Sequence, residues 1–238
     1  MSEGRGAWTL RGKRNYSSEY VRKPQTPVDG TYPDIALTNE EQAWFDSVYH
    51  GVLTIQQLLV DKGFLPEKVM LARPGEFTFA VRHAARDFQA SVNLRADGYV
   101  GMQTMKAMLS PTIRQCSHEA GVNPKWIYAL ARQESAFDPG AQGWTTPADY
   151  GIWQFNTSLG TVTVNEAFDL DYAAPETCRR FAKALEHFDG KGNITQIDCA
   201  ILQHRAPTAA QTLYDTGDTD EEMIGYIESV RDFAAEWV

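Results

Sequence analysis

The stretch ALARQESAFDPGAQGWTTPADYGIWQFNTS, residues 129–158, contains two carboxylates in unusual places. Upstream of it, Ile127, Leu130 and Ala131 form an apolar stripe at helical spacing, and the next position on that stripe is Glu134. A carboxylate on a buried face loses hydration, which favours its protonated form. Pro139 and the FDPGAQG run stop the helix just after Glu134, so the negative end of the helix dipole also disfavours ionisation there. Both effects predict a protonated carboxylic acid near neutral pH, the state that a general acid requires. The alternative is a structural glutamate bonded to nearby backbone or to an arginine, with Arg132 and Arg180 as candidates. The second carboxylate, Asp149, stands at the mouth of the YGIWQFN segment, beyond a glycine-rich loop.

Outward from this stretch the chain reads as helical. GVNP is a turn, with Asn123 capping the Glu134 helix and Pro124 in its first turn. APETCRRFAKALEHF, NITQIDCAILQH and DEEMIGYIESVRDFAAEWV are further helices, and no alternating strand pattern of useful length occurs. Pro111 is taken as the boundary of this second helical domain, residues 111–238.

Residues 1–40 are rich in Gly, Pro and charge and read as an extended basic tail and linker. A helix begins at Thr38, which caps it ahead of acids in the first turn. Val52, Ile55, Leu58 and Leu59 then lie at helical spacing until Gly63. Phe77, Val81, Ala84, Ala85 and Phe88 share another face, and after an Asp-Gly turn a short helix carries Met102, Met105, Met108 and Leu109. Residues 41–110 are therefore a small domain of three helices. The predicted fold class is mainly α, with this small domain followed by a larger helical one.

Composition narrows the function. From residue 111 onward there are 9 Lys and Arg against 19 Asp and Glu, so the acidic excess lies in the second half. That balance argues against a nucleic-acid partner, because phosphate binding needs clustered Lys and Arg. No apolar run is long enough to span a membrane, and the basic N-terminus is followed by no apolar core of a secretory signal. The expectation is synthesis in a host cytoplasm and delivery by another route. Cys116, Cys178 and Cys199 are too few and too scattered for a disulfide framework and read as small buried residues. Cys116 and His118 alone make no metal site, and no cofactor is expected. A monomer is expected.

Two resemblances add to this reading. Residues 51–109 resemble the three-helix peptidoglycan-binding domain of cell-wall hydrolases, through PGEFTFAVRHAARDFQ and ADGYVGMQTMKAML. Asp97, Gly98, Val100, Gly101 and Thr104 fit that pattern closely, whereas Pro74-Gly75 and Phe79 depart from it. GVNPKWIYALARQESAFDP and YGIWQFN resemble the lysozyme-like lytic transglycosylase domain, and DYGIWQFNTS is similar to a stretch of animal-type lysozymes that holds the second catalytic carboxylate. The family's AYNAGP-like segment is replaced here by LQHRAP, with Gln203 and His204 where Tyr and Asn are usual. The tyrosine that helps position the acid is therefore expected to be missing or supplied by another group.

The resemblance implies an enzyme cutting the β-1,4 bond between N-acetylmuramic acid and N-acetylglucosamine of bacterial peptidoglycan. Glu134 would protonate the glycosidic oxygen, and Asp149 would stabilise the transition state or direct water. If Asp149 is too far away, Glu134 acts alone and leaves an anhydro product. The presence of Asp149 and the loss of the tyrosine tilt the expectation toward hydrolysis. Ser135, Tyr150, Trp153, Gln154, Gln203 and His204 are the expected substrate contacts, with Gln154 the first choice for a polar one; Trp144 and Phe155 flank the same segment. The modular order resembles phage endolysins and virion-associated lysins. The rivals are a non-catalytic wall-binding or virion protein with a decayed lysozyme fold, and a secreted antibacterial effector.

Overall fold

The computed structural model describes residues 39–143, 149–190 and 193–237, excepting the side chains of 39–46 and 193–195. The basic tail, the Thr38 cap and Trp144 lie outside the described residues. Among the described residues ten α-helices and one short hairpin follow in order: α1 Asn39–Asp61, α2 Glu67–Ala72, α3 Phe79–Ser91, α4 Met102–Ala120, α5 Pro124–Ser135, β1 Asp149–Tyr150, β2 Phe155–Asn156, α6 Val164–Phe168, α7 Leu170–His187, α8 Asn193–Arg205, α9 Pro207–Thr216 and α10 Glu221–Ala235. The mainly α expectation holds. The helices it omitted are the short α2 and α6 and also α9, which has proline in its first turn and a left-handed Gly217 as its C-cap.

Pro111 does not end an element. It lies inside α4, which runs through the expected boundary between residues 110 and 111. Proline inside a helix removes one N–H and crowds the carbonyl one turn back, and burial of Met105, Met108, Leu109 and Ile113 holds the helix against that cost. The compact units also interleave along the chain. One takes the described residues up to Met108 together with Ala136–Phe168, and the other takes Leu109–Ser135 with the residues from Asp169 onward.

In the first unit, two buried glutamines do parallel work. Gln56 on α1 accepts from the backbone N–H of Gly75 at 2.8 Å and donates to the carbonyls of Arg73 and Glu76. Gln89 on α3 accepts from the N–H of Gly98 at 2.8 Å and donates to the carbonyl of Tyr99 and the hydroxyl of Thr104. Each amide thereby satisfies the polar backbone of a turn that would otherwise be buried without partners. Both glycines have positive φ, +71° and +76°. A Cβ on Gly75 would meet the Tyr49 ring at 2.2 Å, so the turn requires glycine. Val52, Ile55, Leu59, Val81, Ala85 and Met108 close the core of this unit, as their spacing predicts.

The segment 149–168 belongs to the same unit because it packs on α1. His50 stacks on Phe168 with ring centroids 4.4 Å apart, and the Thr54 hydroxyl reaches the Phe168 carbonyl at 3.4 Å. Gly151 permits a close approach to α6, since a Cβ there would sit 2.0 Å from the Ala167 carbonyl oxygen.

In the second unit α5 is buried along most of its length, from Trp126 to Ala131. It packs against α10, which in turn meets α8; α8 packs on α7 and α9. Arg231 of α10 bonds Asp198 of α8 at 2.7 Å. Burial pushes the Asp198 carboxyl above its usual range, against the opposing pull of Arg231. Among the described residues no helix is long and apolar enough to cross a membrane.

Candidate active site

Glu134 occupies the last turn of α5, where the stripe of Ile127, Leu130 and Ala131 delivers it. It is half-buried, not buried as its place on the stripe predicts. The chain stops the helix at once: Ala136 and Phe137 adopt φ of +53° and +64°, and Asp138 accepts from the Gly140 N–H at 2.9 Å. Two consecutive left-handed, non-glycine residues are costly, about 1–2 kcal/mol each, and they begin two positions after the candidate acid.

Neither arginine proposed as a structural partner binds Glu134. Arg132 pairs with Glu236 and lies 4.1 Å over the Phe233 ring, while Arg180 pairs with Glu176 at 2.7 Å. The partner is instead Tyr226 of α10, whose hydroxyl donates a short hydrogen bond to Oε1 of Glu134. Tyr226 lies on the buried stripe Met223, Tyr226, Ile227, Val230 and Ala234. Its burial, then the charge of Glu134 and the hydrogen bond to it, raise the phenol well above its ordinary range. It therefore remains a donor at neutral and mildly alkaline pH. With Oε1 taken by Tyr226, Oε2 carries no hydrogen bond among the described residues.

Arg205, at the C-terminus of α8, lies with its guanidinium 5.1 Å from the Tyr226 ring centroid and 3.6 Å from Glu222. The LQHRAP segment thus meets the tyrosine that meets Glu134. Gln203 and His204, just before Arg205 in the last turn of α8, are half-buried. Ser135 is buried, and its hydroxyl donates back to the Ala131 carbonyl at 3.1 Å. That places it in the helix end and not on an open surface.

The other expected residues belong to the first unit. Asp149 pairs with Asn156 and Tyr150 with Phe155 across the β1–β2 hairpin, and the Gly143 N–H donates to the Asp149 carbonyl at 2.7 Å. Asp149 and Tyr150 are half-exposed, and the Tyr150 ring meets Phe168 edge-on at 5.8 Å. Trp153 is 0% exposed and Phe155 is buried, so both are core residues here. Gln154 is half-buried and left-handed, φ +49°, with its amide nitrogen donating to the Gly151 carbonyl at 2.7 Å. Among the described residues no group of three or more His, Cys, Asp or Glu side chains is arranged to hold a metal.

Sequence reasoning missed Tyr226 and Arg205. The signal for Tyr226 was its polar tip on an otherwise apolar stripe of the last helix, a position that asks for a buried acceptor.

Comparison with known proteins assigns two modules in the same order. The family described as "Putative peptidoglycan binding domain" matches residues 50–108, and "Transglycosylase SLT domain" matches residues 111–177. No match was found among curated proteins or among solved structures.

Proposed function

We propose that this chain, a modular peptidoglycan-acting enzyme of the lytic transglycosylase and lysozyme-like type, cleaves the bond between N-acetylmuramic acid and N-acetylglucosamine with Glu134 as its general acid. The observation that carries the reading is the Tyr226 hydroxyl on Oε1. A donor on one carboxyl oxygen fixes the plane of the group and leaves the other oxygen to face the glycosidic oxygen, a geometric requirement of proton transfer. Oε2 gives its proton to the departing N-acetylglucosamine oxygen as the C1–O bond breaks. The resulting carboxylate then takes the proton of the muramyl 6-hydroxyl, whose oxygen closes on C1 to give a 1,6-anhydro end.

Transglycosylation is preferred because Tyr226 supplies the tyrosine that LQHRAP lacks, which removes one of the two features that favoured hydrolysis. The other feature supports a second reading. Asp149 is half-exposed on its hairpin, in the DYG segment that resembles the second carboxylate of animal-type lysozymes. In that reading water is the acceptor and the product ends are reducing sugars.

The test is a zymogram on purified peptidoglycan followed by mass spectrometry of the released muropeptides. Glu134→Gln should lose all clearing, and the wild type should release ends lighter by one water than hydrolytic products. Clearing by Glu134→Gln would remove the assignment of the acid, and reducing ends alone would select hydrolysis. The order of wall-binding module and cleaving domain suits a phage endolysin or virion-associated lysin, and an antibacterial effector would use the same chemistry.

A further inference from the structure

Cys116 and Cys178 lie 62 positions apart in sequence, yet their sulfurs are 2.7 Å apart in the interior of the second unit. Cys116 is in the last turns of α4, and Cys178 is in the middle of α7. Both are buried, 4% and 0% exposed. A covalent S–S bond is about 2.05 Å, so the thiols need to close only a little over half an ångström to become bonded. The sequence reading of these cysteines as ordinary buried small residues does not account for such an approach.

We propose that Cys116 and Cys178 are a redox pair that forms a disulfide in an oxidising compartment, clipping α4 to α7 around the segment that contains Glu134. The surroundings favour exchange chemistry over a metal, since no third His, Cys, Asp or Glu joins them among the described residues. The two sulfurs are also unequal. Their shared hydrogen bond, in which either sulfur can be the donor, pulls the Cys116 thiol below its ordinary range, whereas that same bond and burial push Cys178 up. Cys116 is therefore the attacking thiolate.

With a small disulfide such as oxidised glutathione as oxidant, the Cys116 thiolate attacks one of its sulfurs and expels one glutathione thiolate. Cys178 then loses its proton and attacks the Cys116 sulfur of the mixed disulfide, expelling the second. Two electrons and two protons pass to the oxidant, which leaves as two reduced glutathiones. Because the thiols are buried, exchange proceeds through local opening or during folding. The consequence is a wall enzyme that is more durable after leaving a reducing cytoplasm.

The full chain is unfolded in urea, refolded in oxidised or in reduced glutathione, and then alkylated under denaturing conditions with N-ethylmaleimide and weighed. Of the 3 cysteines, the oxidised sample should alkylate at one, Cys199, and digestion should yield a Cys116–Cys178 linked peptide. Closing a loop of this length should raise the melting midpoint by about 10 °C, reversibly with a phosphine reductant. Cys199→Ala should keep that difference, and Cys116→Ala should abolish it while retaining activity at low temperature. Three alkylated cysteines after refolding in oxidised glutathione would overturn the proposal, as would a link through Cys199 or between chains. The mass arm uses the wild-type chain alone, so it decides the matter even if Cys116→Ala fails to fold.

Discussion

The hydroxyl of Tyr226 and the carboxylate of Glu134 are 92 positions apart in sequence and share one short hydrogen bond. The last helix therefore reaches back to hold the end of α5. If this bond orients the acid, Tyr226→Phe should keep the fold and lower turnover. The expected loss is about 10- to 100-fold in kcat, about 1.4–2.7 kcal/mol of barrier, with little change in KM. Release of soluble muropeptides from purified walls measures it, with thermal melts as the control for folding. Wild-type turnover in a well-folded Tyr226→Phe protein would remove Tyr226 from the mechanism.

Asp149 separates the two chemistries. Under transglycosylation by Glu134 alone, Asp149→Asn should retain activity to within about tenfold, about 1.4 kcal/mol. Under hydrolysis the loss should be much greater. Kinetics and product masses should agree, because anhydro ends with a healthy Asp149→Asn enzyme support one mechanism and reducing ends with a crippled one support the other.

Stability should fall on the alkaline side, partly through Tyr226. Its folded phenol is held above the ordinary value, largely by burial and by the neighbouring Glu134. The unfolded phenol titrates near its ordinary value, about 10. Above that pH the unfolded state binds fewer protons than the folded one, so stability is complete below it and declines as pH rises through it. Urea unfolding between pH 8 and 11 should show a shallower decline in Tyr226→Phe than in the wild type. Parallel slopes would mean that the phenol is not protected in the folded state.

The glutamine clamps give a prediction for the binding module. Gln89→Leu preserves volume but strands the Gly98 N–H and the Tyr99 carbonyl, and should destabilise the first unit by about 2–4 kcal/mol. Gln56→Leu should act similarly through Gly75, Arg73 and Glu76. Denaturant melts of the full chain, together with sedimentation on insoluble peptidoglycan, would detect loss of fold and loss of binding. A change below about 0.5 kcal/mol in either variant would mean that water replaces the amide easily.

Much of this was legible from periodicity. The apolar faces of α1, α3 and α5 were readable because i, i+3 and i+4 spacing reflects burial directly, and Glu134 stood out by interrupting such a face. Asn123, Pro124 and Pro139 marked where that helix starts and stops because caps and proline act locally. The polar tip of Tyr226 on its apolar stripe asked for a buried acceptor, but which acceptor was not legible, since the partner lies 92 positions away and no local rule couples the two. The burial of Trp153, expected as a substrate contact, was not legible either: aromatics suit sugars and cores equally, and tertiary packing decides between them. The left-handed turn at Gln154 was hidden too, because a non-glycine residue with positive φ is held by tertiary surroundings and not by its own preference.

The continuity of α4 through residues 110 and 111 bears on how such a gene can be cut and rejoined. A cloning junction placed at Pro111, where the family match begins, would leave the upstream fragment with only the first half of a helix and start the downstream fragment in the middle of one. Isolated turns of that length are marginal in water. Chimaeras that trade wall-binding modules at that point should express poorly, whereas junctions in the turn at Gly121, beyond the end of α4, leave the helix whole.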